Sequence, residues 1–159
     1  MELMGLMLAL FGAALAGGMA GIGSAIGIGT AGESAAGVMS EDPDKFANCL
    51  ILQALPGTQG FYGLIVVFMV LAKLQMFGTP LKPTWIEGLQ VFAACLPVAL
   101  VCWYSAIWQG KTSAAAIQMI AKKPEAMGKA LVLPAMVETY AVLSLLTSIL
   151  LLTFGVQLG

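Results

Sequence analysis

The sequence predicts an all-α integral membrane protein, a duplicated helical hairpin with four transmembrane helices. Three observations predict the fold of the chain. Of its 159 residues, 60% are hydrophobic and only 9% charged, with a mean hydropathy of +0.95, too little charge to cover a water-soluble domain of this size. The apolar residues fall into four long runs separated by short polar, proline-containing turns. The second half of the chain repeats the first when the sequence is shifted by 81 residues.

Taken in order, the spans run from Leu3 to Met39, Phe46 to Phe77, Thr84 to Ala121 and Ala126 to Val156. Each exceeds the roughly 20 residues that cross hydrocarbon, so the helices tilt or project beyond the bilayer. Met1-Glu2-Leu3-Met4 lacks the basic start of a signal peptide, so the first run is expected to be a retained helix. Ser40-Glu41-Asp42-Pro43-Asp44-Lys45 separates spans one and two, and Lys122-Lys123-Pro124-Glu125 separates spans three and four. Two prolines in Gly78-Thr79-Pro80-Leu81-Lys82-Pro83 stop the second helix before the third begins. The chain thus divides into a first hairpin (1–77), an external linker (78–83) and a second hairpin (84–159). Lys45, Lys111, Lys122, Lys123 and Lys129 flank the first and third turns, against Lys73 and Lys82 on the other side. The positive-inside rule therefore puts those two turns in the cytoplasm and both termini outside.

The 81-residue shift places Ser24-Ala25-Ile26 on Ser105-Ala106-Ile107, Gly29 on Gly110, Pro43 on Pro124, Ala54 on Ala135 and Thr58 on Thr139. One ungapped register through two helices and a turn marks a duplication, and both copies keep the same orientation because each contributes two spans. The copies differ at one point, where Gly57 in the first aligns with Glu138 in the second. In span one, Gly17, Gly21, Ala25 and Gly29 form one small-residue stripe, and Gly23, Gly27, Ala31 and Ala35 form another. Span three carries a thinner stripe in Ala106, Gly110 and Ala114. Such stripes let helix backbones approach closely in lipid, either within a bundle or between copies around an inner ring.

Composition excludes several chemistries. There is no histidine, and Cys49, Cys95 and Cys102 read as small buried hydrophobes, so zinc or iron chemistry is not expected. The seven basic residues are all Lys in a chain of net charge −1, which leaves no basic patch for nucleic acid. Gly27-Ile28-Gly29-Thr30-Ala31-Gly32 fits a dinucleotide pattern, but no strand precedes it, and no GxxxxGK[ST] sequence is present, so no nucleotide is expected on this chain. Glu33 lies near the first cytoplasmic turn, at headgroup level.

Glu138 stands apart. It lies in an apolar run from Ala130 to Val156 whose only other ionisable side chain is Tyr140. A carboxylate at bilayer depth costs roughly 2.5–3.5 kcal/mol, so a role and a partner are expected for it. Handling a cation that crosses the membrane is the functional reading; a Glu satisfied by hydrogen bonds between helices is the structural one. In span two, Leu55, Thr58, Gln59 and Tyr62 share one face, and Pro56, which has no amide proton, frees backbone oxygen beside it. Span three carries Gln109, with Ser105, Thr112 and Ser113 nearby. Thr58, Gln109 and Glu138 all lie 13 to 15 residues from their cytoplasmic turns, about 20 Å along each helix. Neutral oxygens and a single carboxylate at one level suit a monovalent hard cation better than a divalent one. Tyr62 is placed to donate its hydroxyl to Glu138.

With Leu55-Pro56-Gly57-Thr58-Gln59-Gly60, Gln109-Gly110-Lys111, Lys122-Lys123-Pro124-Glu125 and Met136-Val137-Glu138-Thr139-Tyr140 in place, essentially the whole chain resembles a known family. It is similar to the duplicated four-helix rotor (proteolipid) subunit of V-type and archaeal-type ATPases. The resemblance implies a ring in lipid with spans one and three inside, in a prokaryotic plasma membrane. It implies Na⁺ bound by the Leu55 backbone oxygen, Thr58, Gln59, Gln109 and Glu138, with Tyr62 supporting the Glu, and H⁺ as the alternative coupling ion. It also implies partners: a stator membrane subunit that supplies an Arg, since this chain has none, and a central-stalk subunit of a soluble ATPase head. A non-transporting scaffold or channel bundle is the competing class; it explains the stripes and the duplication but not polar groups on three helices at matched depth.

Overall fold

The computed structural model describes residues 2–158, of Glu2 the backbone only. Four helices among the described residues are long and apolar enough to cross a membrane: Leu3–Glu41, Pro43–Lys73, Trp85–Lys122 and Pro124–Gly155. The first is an unbroken helix α1 (Glu2–Glu41). The second is divided into α2 (Phe46–Ala54) and α3 (Thr58–Lys73) by a 3₁₀ turn at Leu55–Gly57. That break follows from Pro56, which cannot donate to the carbonyl four residues back. The third is α4 (Trp85–Lys122). The fourth is α5 (Met127–Leu150), closed by one wide π turn at Leu151–Gly155.

The turns repeat as the sequence does. Pro43 and Pro124 each open a short 3₁₀ turn, a position where the missing amide proton costs nothing. Lys45 ties the two turns together: its Nζ donates to the Ala121 carbonyl at the end of α4 (2.7 Å) and pairs with Asp42 (3.1 Å). At the opposite end Thr84 caps α4 in a reciprocal arrangement with Glu87.

The second span stops at Lys73 rather than reaching Phe77. Gln75 takes a left-handed conformation (φ 55°), its amide bonds Ala72 O at 3.0 Å, and the Met76 amide bonds Leu71 O at 3.0 Å. This is the reverse turn that normally uses glycine; with Gln in that place, no sequence signal marks the stop.

α1 and α4 lie side by side in close contact, so the two hairpins are intimately packed. A Cβ added at Gly12 would meet Phe92 Cα at 2.7 Å, and one at Gly23 would meet the Trp103 carbonyl oxygen at 2.5 Å. Gly110 faces the Gly27 backbone directly. Of the two stripes on α1, the one containing Gly23 and Gly27 is therefore filled within the chain. In the other, a Cβ added at Gly21 or Gly29 would meet nothing within 4 Å, and one at Gly17 would meet Val67. Apolar side chains form two clusters. One joins Ala13, Ala20, Val66, Val70, Val98 and Cys102 toward the termini, and the other joins Ala31, Ala35, Cys49, Leu52, Ile117 and Ala130 near the turns. Between them lies a belt of buried polar groups: Ser24, Gln59, Ser105 and Gln109.

Candidate cation-binding site

The belt is where the predicted site residues meet. The 3₁₀ turn brings the Leu55 carbonyl beside the first residues of α3, and Thr58 Oγ1 lies within hydrogen-bond distance of it (3.0 Å) and of Gln59 Oε1 (3.2 Å). Gln59 and Gln109 are both wholly buried. Gln59 Nε2 donates to Gln109 Oε1 and to Ser105 Oγ (3.3 Å). Gln109 Nε2 in turn donates to the Pro134 carbonyl (3.1 Å) and to Glu138 Oε2 (3.3 Å). The other carboxylate oxygen, Oε1, accepts the Tyr62 hydroxyl at 2.8 Å. Leu55, Thr58, Gln59, Gln109, Glu138 and Tyr62 thus form one continuous network drawn from α3, α4 and α5 and the turn before α3.

Its electrostatics are simple. One carboxylate faces neutral oxygens and amide dipoles, and its two bonded partners, Tyr62 and Gln109, are both uncharged. Glu138 is half-buried and lies at a shallow depression of about 430 Å³ shared with Ala135, Thr139, Val142 and Leu143. Both amide groups point their NH₂ toward acceptors, which leaves Gln59 Oε1 on the side of Thr58 Oγ1 and the Leu55 carbonyl. Such an assembly of oxygens can replace the hydration shell of a small monovalent cation and neutralise it.

Not every nearby polar residue joins. Thr112 bonds its own helix at Trp108 O (2.8 Å), and Ser113 Oγ is buried without a partner among the described residues. Tyr140 is exposed. Two serines take larger parts than their positions suggest. Ser105 Oγ accepts from Gln59 and donates to the Val137 carbonyl (3.1 Å). Ser24 Oγ accepts the Gly60 amide (2.8 Å), bracing α3 just past the break at Pro56. The repeat places Ser24 on Ser105, and that correspondence is the sequence signal that pairs them.

Comparison with known proteins agrees with the internal repeat. The model of the ATP synthase C-subunit family matches twice, at residues 11–70 and 92–151, in the same register as the internal repeat. The chain is 44% identical over 147 residues to the V-type sodium ATPase subunit K of Enterococcus hirae, covering 92% of this chain and 91% of that protein. It is 42% identical over 147 residues to the A-type ATP synthase subunit K of Methanocaldococcus jannaschii, covering 92% of this chain and 62% of that longer protein.

Proposed function

The chain belongs to the ATP synthase C-subunit family, and on that premise we propose that it is the ion-translocating rotor-ring subunit of a rotary V-type ATPase, carrying Na⁺ on Glu138. The observation that carries this reading is the single carboxylate joined to Gln109, Gln59, Thr58 and Leu55 in one network. The sodium ATPase subunit from Enterococcus hirae supports Na⁺ as the ion. Leu55 O, Thr58 Oγ1, Gln59 Oε1, Gln109 Oε1 and Glu138 supply the oxygens, and Tyr62 holds the carboxylate. Identical copies form a ring in the membrane with other ATPase subunits around it. The open stripe through Gly21 and Gly29 supports a neighbouring helix at that face.

Charge drives the cycle. With Na⁺ bound, the site is neutral and rotates through lipid; emptied, it is an anion whose exposure to hydrocarbon is penalised. A stator subunit holds the empty site with a cation, an Arg by the family resemblance, and since this chain has no arginine it comes from the partner. Rotation past it, transmitted by a central stalk, couples ion passage to ATP hydrolysis or synthesis in a soluble head. Moving each charge against the membrane potential costs about 2.3 kcal/mol per 100 mV. The turns at Pro43 and Pro124 face the cytoplasm of a prokaryotic cell, and both termini face outward.

A carbodiimide that modifies protonated carboxyls tests the ion. It is expected to label Glu138 in the intact ring, and Na⁺ is expected to suppress labelling where K⁺ does not. Protons and Na⁺ compete for one carboxylate, so lower pH should raise the Na⁺ concentration needed. Labelling that responds to pH but not to Na⁺ would move the assignment to H⁺. Tyr62→Phe removes one of the carboxylate's two donors. A hydrogen bond to a charged group contributes about 1.5–3 kcal/mol, so half-protection should require at least about ten times more Na⁺. An unchanged requirement would show that Tyr62 does not hold the anion.

A further inference from the structure

We propose that Ser105 is the positioning residue that fixes the Gln59 carboxamide with its oxygen toward the cation, and so sets the affinity of the site for Na⁺. The inference rests on the sodium reading above and deepens it. Ser105 has one hydroxyl proton, and it goes to the Val137 carbonyl, which can only accept (3.1 Å). Its lone pairs therefore face Gln59, and the Gln59 atom 3.3 Å away must be the nitrogen.

Gln109 imposes the same orientation from the other side. Its Nε2 is bound to the Pro134 carbonyl, again an acceptor only (3.1 Å), so its Oε1 is the atom that faces Gln59 Nε2. Both protons of the Gln59 NH₂ are thereby engaged, and Oε1 is left beside Thr58 Oγ1. Reversing the amide would set its oxygen against two acceptors and aim an NH₂ at the ion. All of this lies in a buried layer, with Gln59 0% and Ser105 7% exposed, where water cannot substitute for a lost partner. The hydrogen bonds of Ser105 go to Gln59 and Val137 rather than to Glu138, Thr58 or Leu55, so it acts through Gln59.

The test uses carbodiimide labelling of Glu138 in the intact detergent-solubilised ring, titrated with NaCl, with KCl as control. Ser105→Ala is expected to raise the Na⁺ concentration for half-protection about tenfold, the equivalent of one buried hydrogen bond. The labelling rate without Na⁺ should not change, because Tyr62 and Gln109 still hold the carboxylate. Ser105→Thr keeps the hydroxyl and should stay within about threefold of wild type. If the Ala ring does not assemble, Ser105→Cys, similar in size but a weak acceptor, carries the Ala expectation. A half-protection within about twofold of wild type in Ala or Cys would overturn the role of Ser105 while leaving the sodium reading intact. A Thr variant as impaired as Ala, or a changed rate without Na⁺, would overturn it too, assigning the effect to packing. Absence of Na⁺ protection in the wild-type ring would overturn the sodium reading and this proposal with it.

Discussion

Glu138→Gln is expected to abolish Na⁺-coupled ATP turnover and carbodiimide labelling while leaving an assembled ring of normal mass. The substitution keeps the length of the side chain and an oxygen that accepts from Tyr62, which donates to Glu138 at 2.8 Å. It removes the formal charge of the network. A neutral site resembles the loaded state at every point of the rotation, so it neither exchanges an ion nor stops at a stator cation. Loss of a hydrogen bond to a charged group is worth about 1.5–3 kcal/mol, small beside the packing of four spans, so assembly should survive. Intact-enzyme ATPase assays with and without NaCl, alongside the mass of the solubilised ring, read both outcomes. Residual Na⁺-stimulated turnover would remove Glu138 from the transport role; a dissociated ring would make the residue chiefly structural.

Gly110→Val is expected to lower the melting temperature of the protein and the yield of assembled ring. A Cβ at this position falls on the backbone of Gly27, reaching its carbonyl carbon at 2.7 Å and its Cα and oxygen closer still. Backbone cannot rotate aside as a side chain can, so α1 and α4 must separate. Overpacking in a core typically costs about 1–3 kcal/mol, and here it also pulls away the residue next to Gln109, which holds Glu138. Gly29→Val is the informative contrast. Nothing lies within 4 Å of a Cβ at Gly29 in the chain, so the protomer should fold and any damage should fall on contacts between copies. Thermal denaturation and ring mass distinguish the two variants. A Gly110→Val ring with wild-type melting would show that the contact between α1 and α4 is not a tight one.

Much of this molecule is legible in one dimension because its strongest signals are local. Runs of apolar residues, prolines within the turns between spans and a carboxylate isolated among aliphatics need no knowledge of distant neighbours. The spans starting at Thr84 and Ala126 correspond to helices beginning at Trp85 and, after a short 3₁₀ turn, at Met127. Counting residues from the turns places Thr58, Gln109 and Glu138 at one depth, and the hydrogen bonds between Gln109 and both Gln59 and Glu138 lie at that level. A broken local rule hides the end of α3: Gln75 takes a glycine's conformation, so the stop at Lys73 carries no mark in the residue order.

What the sequence determined by itself was the number of spans, their duplication, and a lone carboxylate at mid-depth, since hydropathy, helix rise and repeat register follow from residue order. Tertiary structure decided which glycine stripe is filled within the chain, that Ser24 and Ser105 brace the site, and which way each carboxamide faces. The first depends on backbones far apart in the chain, as at Gly27 and Gly110; the others depend on donors and acceptors 25 to 50 positions apart, as with Gln109 and Pro134 or Gln59 and Gln109. An amide's direction is set by whichever neighbour can only accept, and only the packed helices determine which neighbour that is.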